Sequence, residues 1–243
     1  MTPMLGIMAS AGKTMGSYIA VAHGTTPFIS AYPWSAGFGT KYANPATLPA
    51  SQGDSVAFNP AGTAIAVAHV SSPNISAYPW SAGFGTKYAD PATLPGSAGN
   101  GVAFNPAGTV IAVVHGASPY INAYPWSAGF GTKYADPATL PTGIATSVAF
   151  NPAGTAIAVA HTTTPYISAY PWSAGFGTKY ANPATLPTGN ATSVAFNPAG
   201  TVIAVAHGAS PYISTYPWSA GFGTKYANPA TLPTGTGNSV AFI

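Results

Sequence analysis

The chain has 243 residues, enough to bury a sizeable core, yet only nine carry a formal charge: six Lys and three Asp, for a net charge of +3. Binding to nucleic acid needs clustered cations to neutralise phosphates, and six scattered Lys do not supply them. Cysteine is absent, which excludes disulfides, a thiol nucleophile and a Cys-ligated metal, and no apolar run approaches the roughly 20 residues of a membrane-crossing helix.

Residues 1–16 are Met-rich but lack a basic start followed by a long apolar stretch, so a tail is expected there rather than a signal peptide. From residue 17 to 243 one repeat takes over, and a single domain is expected. Trp34, Trp80, Trp126, Trp172 and Trp218 are spaced by 46 residues, as are His23, His69, His115, His161 and His207. The segment PWSAGFGTKYA recurs five times without a change. A period of 46 fits a propeller blade of four strands and is too long for a leucine-rich repeat. Helical repeats are excluded by the Pro and Gly distributed through every unit.

Within one unit, Ser55–Phe58 is expected to form strand a. Asn59-Pro60-Ala61-Gly62 has the residue order of a type I turn. Ala64–His69 follows as strand b, Val70–Pro73 as a turn, and Asn74–Trp80 as strand c, weakened near Pro79. Ser81–Thr86 turns into Lys87–Leu94, expected as strand d. Pro91 and Pro95 suit an outermost edge there, where a missing N–H costs little.

The run SVAFNPAGTAIAVAH followed by an ISAYPW-type segment resembles the WD-repeat propeller family and its bacterial relatives. It looks like that family's inner strand ending in a Phe-x-Pro-x-Gly turn, then a second strand of small residues, then a third ending in an aromatic ring. The resemblance covers residues 17–243 and departs from the family in lacking its Trp-Asp and Gly-His pairs. The wording AYPWSAGFGTKYANPATLP is also similar to repeats of bacteriophage tail and virion-associated proteins.

The expected fold is therefore an all-β, five-bladed β-propeller with four antiparallel strands per blade. Counting supports closure. The first b-c-d set, from Tyr18, has no strand a before it, and the last strand a, Ser239–Phe242, has no set after it. Joining the two would shut the ring and leave only short edges. An antiparallel meander puts the d–a and b–c turns on one face and the a–b and c–d turns on the other. The second face never changes: NPAGT and SAGFGT recur throughout. The first drifts, its b–c turns reading GTTP, VSSP, GASP, TTTP and GASP. Loop tips drift by default, but a diversified face is also where a partner would be met.

Candidate ligand-binding residues on the drifting face are His23, His69, His115, His161 and His207 with Ser71, Ser118, Thr163 and Ser210. The imidazoles are expected to bond structurally to a neighbouring loop, and no metal or cofactor is expected. An alternative, repeated site on the unchanging face comprises Trp80, Phe84 and Lys87, and Trp126, Phe130 and Lys133. Five such sites would give avidity for a repetitive ligand, although rings at these positions also suit packing between blades. Catalysis has little to work with. Asp54 and Asp90 lie in different parts of the repeat, the Asp90 and Asp136 position is Asn44, Asn182 and Asn228 elsewhere, and nearly every Ser and His is copied. The expectation is no enzyme but a binding or display module on a virion or another extracellular surface, with a protein or glycan partner, no nucleic acid and no membrane insertion. The alternatives are a lectin with five equivalent glycan sites and an amplified repeat with no selected ligand. A monomeric ring is the expected state, with an open array or a swapped oligomer, which near-identical units allow, as the alternative.

Overall fold

A computed structural model describes residues 17–243; the expected tail at 1–16 lies outside the described residues. The described chain is all-β, with fourteen strands in one two-stranded and four three-stranded antiparallel sheets. The first sheet is β1 (Ser17–Ala22) with β2 (Ile29–Trp34). The second is β3 (Gly53–Phe58), β4 (Ala64–His69) and β5 (Ile75–Pro79), and the third β6 (Gly99–Phe104), β7 (Val110–His115) and β8 (Ile121–Pro125). The fourth is β9 (Ala145–Phe150), β10 (Ala156–His161) and β11 (Ile167–Pro171), and the fifth β12 (Ala191–Phe196), β13 (Val202–His207) and β14 (Ile213–Pro217). The meander keeps one register throughout: Val56 faces Val67 on one side of the middle strand and Ala66 faces Ala77 on the other.

Middle strands such as AIAVAH are apolar on both faces, as strands covered on both sides must be, and β4, β7 and β10 are buried along their whole length. The a–b turn closes as its residues dictate. Gly62 N–H donates to Asn59 O at 2.9 Å, and Asn59 Oδ1 accepts from the backbone N–H groups of Thr63 and Ala64.

Two expectations are corrected. Strand d does not form: Lys87–Leu94 has no strand geometry, so the sheets have three strands, not four. Its tie to strand c is Tyr88 N–H to Ala77 O at 2.9 Å. Beyond it Pro91 and Pro95 supply no N–H, and both are buried by packing instead of pairing. Nor does the ring close through a C-terminal strand. Residues 234–243 take no regular secondary structure, and among the described residues β1 is bonded within its sheet to β2 alone.

Successive units meet through two layers. Inner strands lie side by side, with Val102 N–H donating to Ser55 Oγ at 3.2 Å and Val194 N–H to Ser147 Oγ at 3.3 Å. Outside them, each buried Trp meets the rings of its own unit and the Tyr of the unit before. Trp126 packs edge-to-face on Tyr88 at 5.3 Å, Phe104 at 5.2 Å and Phe130 at 5.2 Å. The phenol of Tyr124 reaches across the same joint and donates to Thr93 O at 2.8 Å. Tyr78, Tyr170 and Tyr216 do the same to Thr47, Thr139 and Thr185. Burial pushes the Tyr216 phenol up to about 12, which keeps it a donor.

Candidate functional site

The drifting turns do share one edge, and they are bonded to each other. Val70 N–H donates to Gln52 O at 3.2 Å, Thr162 N–H to Ile144 O at 3.0 Å, and Gly208 N–H to Asn190 O at 3.0 Å. Thr142 and Thr188 hydroxyls from the d–a turns donate to Thr164 O and Ser210 O of the b–c turns. The constant turns meet on the opposite edge, where Trp80 N–H donates to Thr63 O at 2.7 Å.

The His residues hold this edge from beneath. His69, His115, His161 and His207 are fully buried. In His69 one ring nitrogen, Nε2, lies 3.0 Å from Ser76 Oγ on strand c, and Nδ1 lies 2.8 Å from Ser71 O in the b–c turn. His161 spans Ser168 and Thr163 O in the same way, and His207 spans Ser214 and Ala209 O. His23 lies 3.0 Å from Ser30 Oγ. Burial lowers the imidazoles of His69, His115, His161 and His207, His161 to about 4, so these four are neutral at physiological pH. Their burial keeps them from the surface, where the turn tips lie. Ser71, Ser118, Thr163 and Ser210 are all exposed at those tips. They occupy two adjacent turn positions, since Ser71 and Thr163 fall one residue earlier in the repeat than Ser118 and Ser210. Directly after each turn stands a residue with positive φ: Phe28, Asn74, Tyr120, Tyr166 or Tyr212. Four of the five are half-buried aromatic rings beside exposed hydroxyls.

Sequence reasoning missed both this aromatic position and the partners of the imidazoles. A signal for the latter was available: every His is followed seven residues later by Ser30, Ser76, Asn122, Ser168 or Ser214. Asn122 extends the chain of contacts, taking His115 Nε2 at 3.1 Å and donating to Asp136 Oδ1 at 3.4 Å.

On the constant edge the proposed residues are not all at the surface. Trp80 and Trp126 are 3% and 6% exposed, with Phe84 and Phe130 half-buried against them. Lys87 and Lys133 pair with Asp90 and Asp136 three residues on, and Lys41, Lys179 and Lys225 take Asn44, Asn182 and Asn228 likewise. Each of these five ammonium groups therefore has a local partner. Among the described residues no three His, Asp or Glu side chains gather as a metal site would require.

No family model matches the sequence, and no curated protein matches it. Solved structures do match in shape. A candidate 6-phosphogluconolactonase from Bacteroides uniformis superposes with a TM-score of 0.62 at 16% identity, over 90% of this chain and 68% of that one. Hydrazine synthase from Kuenenia stuttgartiensis superposes with a TM-score of 0.60 at 13% identity, over 79% of this chain and 57% of that one. At these identities the likeness is one of fold, and the fold is propeller-like. It corrects one expectation. The chain was expected not to be an enzyme, yet its frame is shared with proteins named for catalysis, so the scarcity of acids does not exclude chemistry here.

Proposed function

We propose that the chain is a multivalent binding and display module, with the edge of b–c and d–a turns as its working surface. The ligand class that fits is uncharged and hydroxyl-rich, a glycan on a particle or cell surface. One observation carries this reading: in three units a buried imidazole holds the b–c turn by its carbonyl in the same way, at Ser71, Thr163 and Ala209, while the exposed d–a and b–c turns differ in sequence along the array. Exposed Ser and Thr hydroxyls beside Tyr120, Tyr166 and Tyr212 offer hydrogen bonds and a ring face, the pair of contacts a sugar takes. Repetition along one edge supplies avidity for a repetitive ligand. The likeness of the repeat wording to phage tail and virion-associated proteins supports a particle as the setting.

A glycan array probed with the whole chain tests this. Binding to at least one neutral glycan is expected, with a loss of at least tenfold when Ser71, Ser118, Thr163 and Ser210 are together replaced by Glu. These tips are exposed, so circular dichroism should be unchanged. Binding untouched by the four substitutions, or no binding across the array, sinks the reading.

A further inference from the structure

The two ends of the array are the two halves of the joint that recurs inside it. At the start, β1 has a neighbour on one side only among the described residues, whereas β4, β7, β10 and β13 each sit between two strands. Val21, Trp34 and Phe38 are 45%, 40% and 65% exposed, although the matching Val67 and Trp80 are buried. Val21, Tyr32 and Phe38 line an open apolar hollow. At the finish, Tyr226 is exposed, although Tyr88, Tyr134 and Tyr180 each cover the Trp of a following unit. A second hollow lies there, lined by Ile213, Thr215 and Tyr226 among others.

The C-terminal segment is already set as an inner strand. Val240 N–H donates to Ser193 Oγ at 3.2 Å, the bond that Val102 makes to Ser55. Gly237 N–H donates to His207 O at 3.1 Å, as Gly53 does to His23. Only the strand that belongs on its outer side is missing. The repeat fixes what that strand would be. Ser55, Val56, Ala57 and Phe58 pair with Ala68, Val67, Ala66 and Ile65. In the same register Ser239, Val240, Ala241 and Phe242 would pair with Ala22, Val21, Ala20 and Ile19.

We propose that the occupant of each end is a second copy of this chain, docked head to tail. Ser239–Phe242 of one copy becomes the third strand of the sheet that β1 and β2 form in the next. Tyr226 then covers Trp34, and the Tyr32 phenol donates to Thr231 O, as Tyr78 does to Thr47 within one copy. A chain's own far end is the other conceivable occupant. Against it, within one copy Ser239–Phe242 forms no strand beside β1, and Val21, Trp34 and Phe38 stay exposed. The contact is heterologous, using different surfaces on the two copies, and it leaves a free end at either side of every pair.

Sedimentation equilibrium of the unmodified chain should show a mass that rises with concentration from 24.2 kDa to at least twice that. Val21→Lys blocks the head and Val240→Lys the tail. Either variant alone should stay at the single-copy mass, and an equimolar mixture should stop at the dimer, because each variant still offers one sound end. Since the chain has no cysteine, Ala22→Cys with Ser239→Cys gives an independent reading. Oxidation should yield interchain dimers and longer ladders. A single-copy mass at every concentration, an intrachain crosslink, or self-dimers of either blocked variant would overturn the proposal.

Discussion

The joint between the second and third units and the leading edge of the first share the same middle and outer strands, but the first has neither an inner strand of its own nor a described unit before it. At the joint, Trp126 is buried beneath Tyr88 and Tyr124 donates to Thr93 O. At the edge, Trp34 keeps Phe38 at 5.1 Å but no Tyr from a preceding unit, and it stays partly in water. The unit alone thus fixes strands, turns and the His brace. The burial of its aromatic rings is completed by the unit before, as expected for repeats that cannot bury their apolar face alone.

The largest way to break this contrast is to remove the ring. Trp126→Ala should cost about 3–5 kcal/mol, the usual range for emptying a buried aromatic site. Trp34→Ala should cost under about 1 kcal/mol in dilute solution, where the first unit has no neighbour. Chemical denaturation of both variants measures the difference, and equal costs would mean that the leading edge is covered as the joint is.

A second effect is pH. The folded-state pKa of His161 is lowered by burial to about 4 from the ordinary 6.5, so the unfolded chain binds more protons between those values. Stability is then fully present above pH 6.5, falls as pH drops towards 4, and levels off below. The loss from this residue is on the order of 3 kcal/mol. His161→Gln should flatten the profile of melting temperature against pH over that window. An unchanged profile would mean that His161 is not the neutral brace described.

A smaller effect sharpens the comparison within the interior. In the second, fourth and fifth sheets a Ser on the inner strand faces an Ala on the middle strand; in the third, Gly101 faces Val114. A Cβ at Gly101 would lie 2.9 Å from Val114 Cγ2, too close to stand. Gly101→Ser should therefore cost about 1–3 kcal/mol by overpacking. Gly101→Ser with Val114→Ala should recover most of it, because the pair then matches its counterparts. Additive losses in thermal unfolding would show that the two positions are not coupled.

Much of this was legible in the sequence, and unevenly. Strand b was placed at Ala64–His69, where β4 lies, because an apolar run between a Pro-Gly turn and a Ser-Pro turn has little freedom. The drifting and constant turns were correctly assigned to opposite edges, since alternation of direction in a meander is all that requires. Strand d is the exception: Pro91 and Pro95 suit an outer edge where a missing N–H costs little, but here they pack without pairing. Closure was misread for a deeper reason. Counting strands shows that the two ends match in sequence, but whether they meet depends on the angle between successive sheets, which a strand count does not contain. The candidate site followed the same division: the exposed tips were readable as drift, while the His–Ser braces needed the pairing of strands b and c.

The smallest expected effect isolates a single hydrogen bond across the joint. Tyr124→Phe keeps the ring and its packing and removes only the phenol that donates to Thr93 O. A neutral hydrogen bond contributes about 0.5–1.5 kcal/mol net, and losing it leaves a carbonyl at the joint without this donor. A destabilisation of about 1 kcal/mol is expected. Tyr32→Phe removes the same oxygen at the leading edge, where no preceding unit offers a carbonyl, and should be silent in a single copy. Raising the protein concentration discriminates further. If head-to-tail contacts form, Tyr32 gains Thr231 O as an acceptor, and Tyr32→Phe should begin to cost what Tyr124→Phe costs. A penalty for Tyr32→Phe already present at the lowest concentration would mean that the first unit is satisfied within its own chain, and the contrast between joint and edge would fail with it.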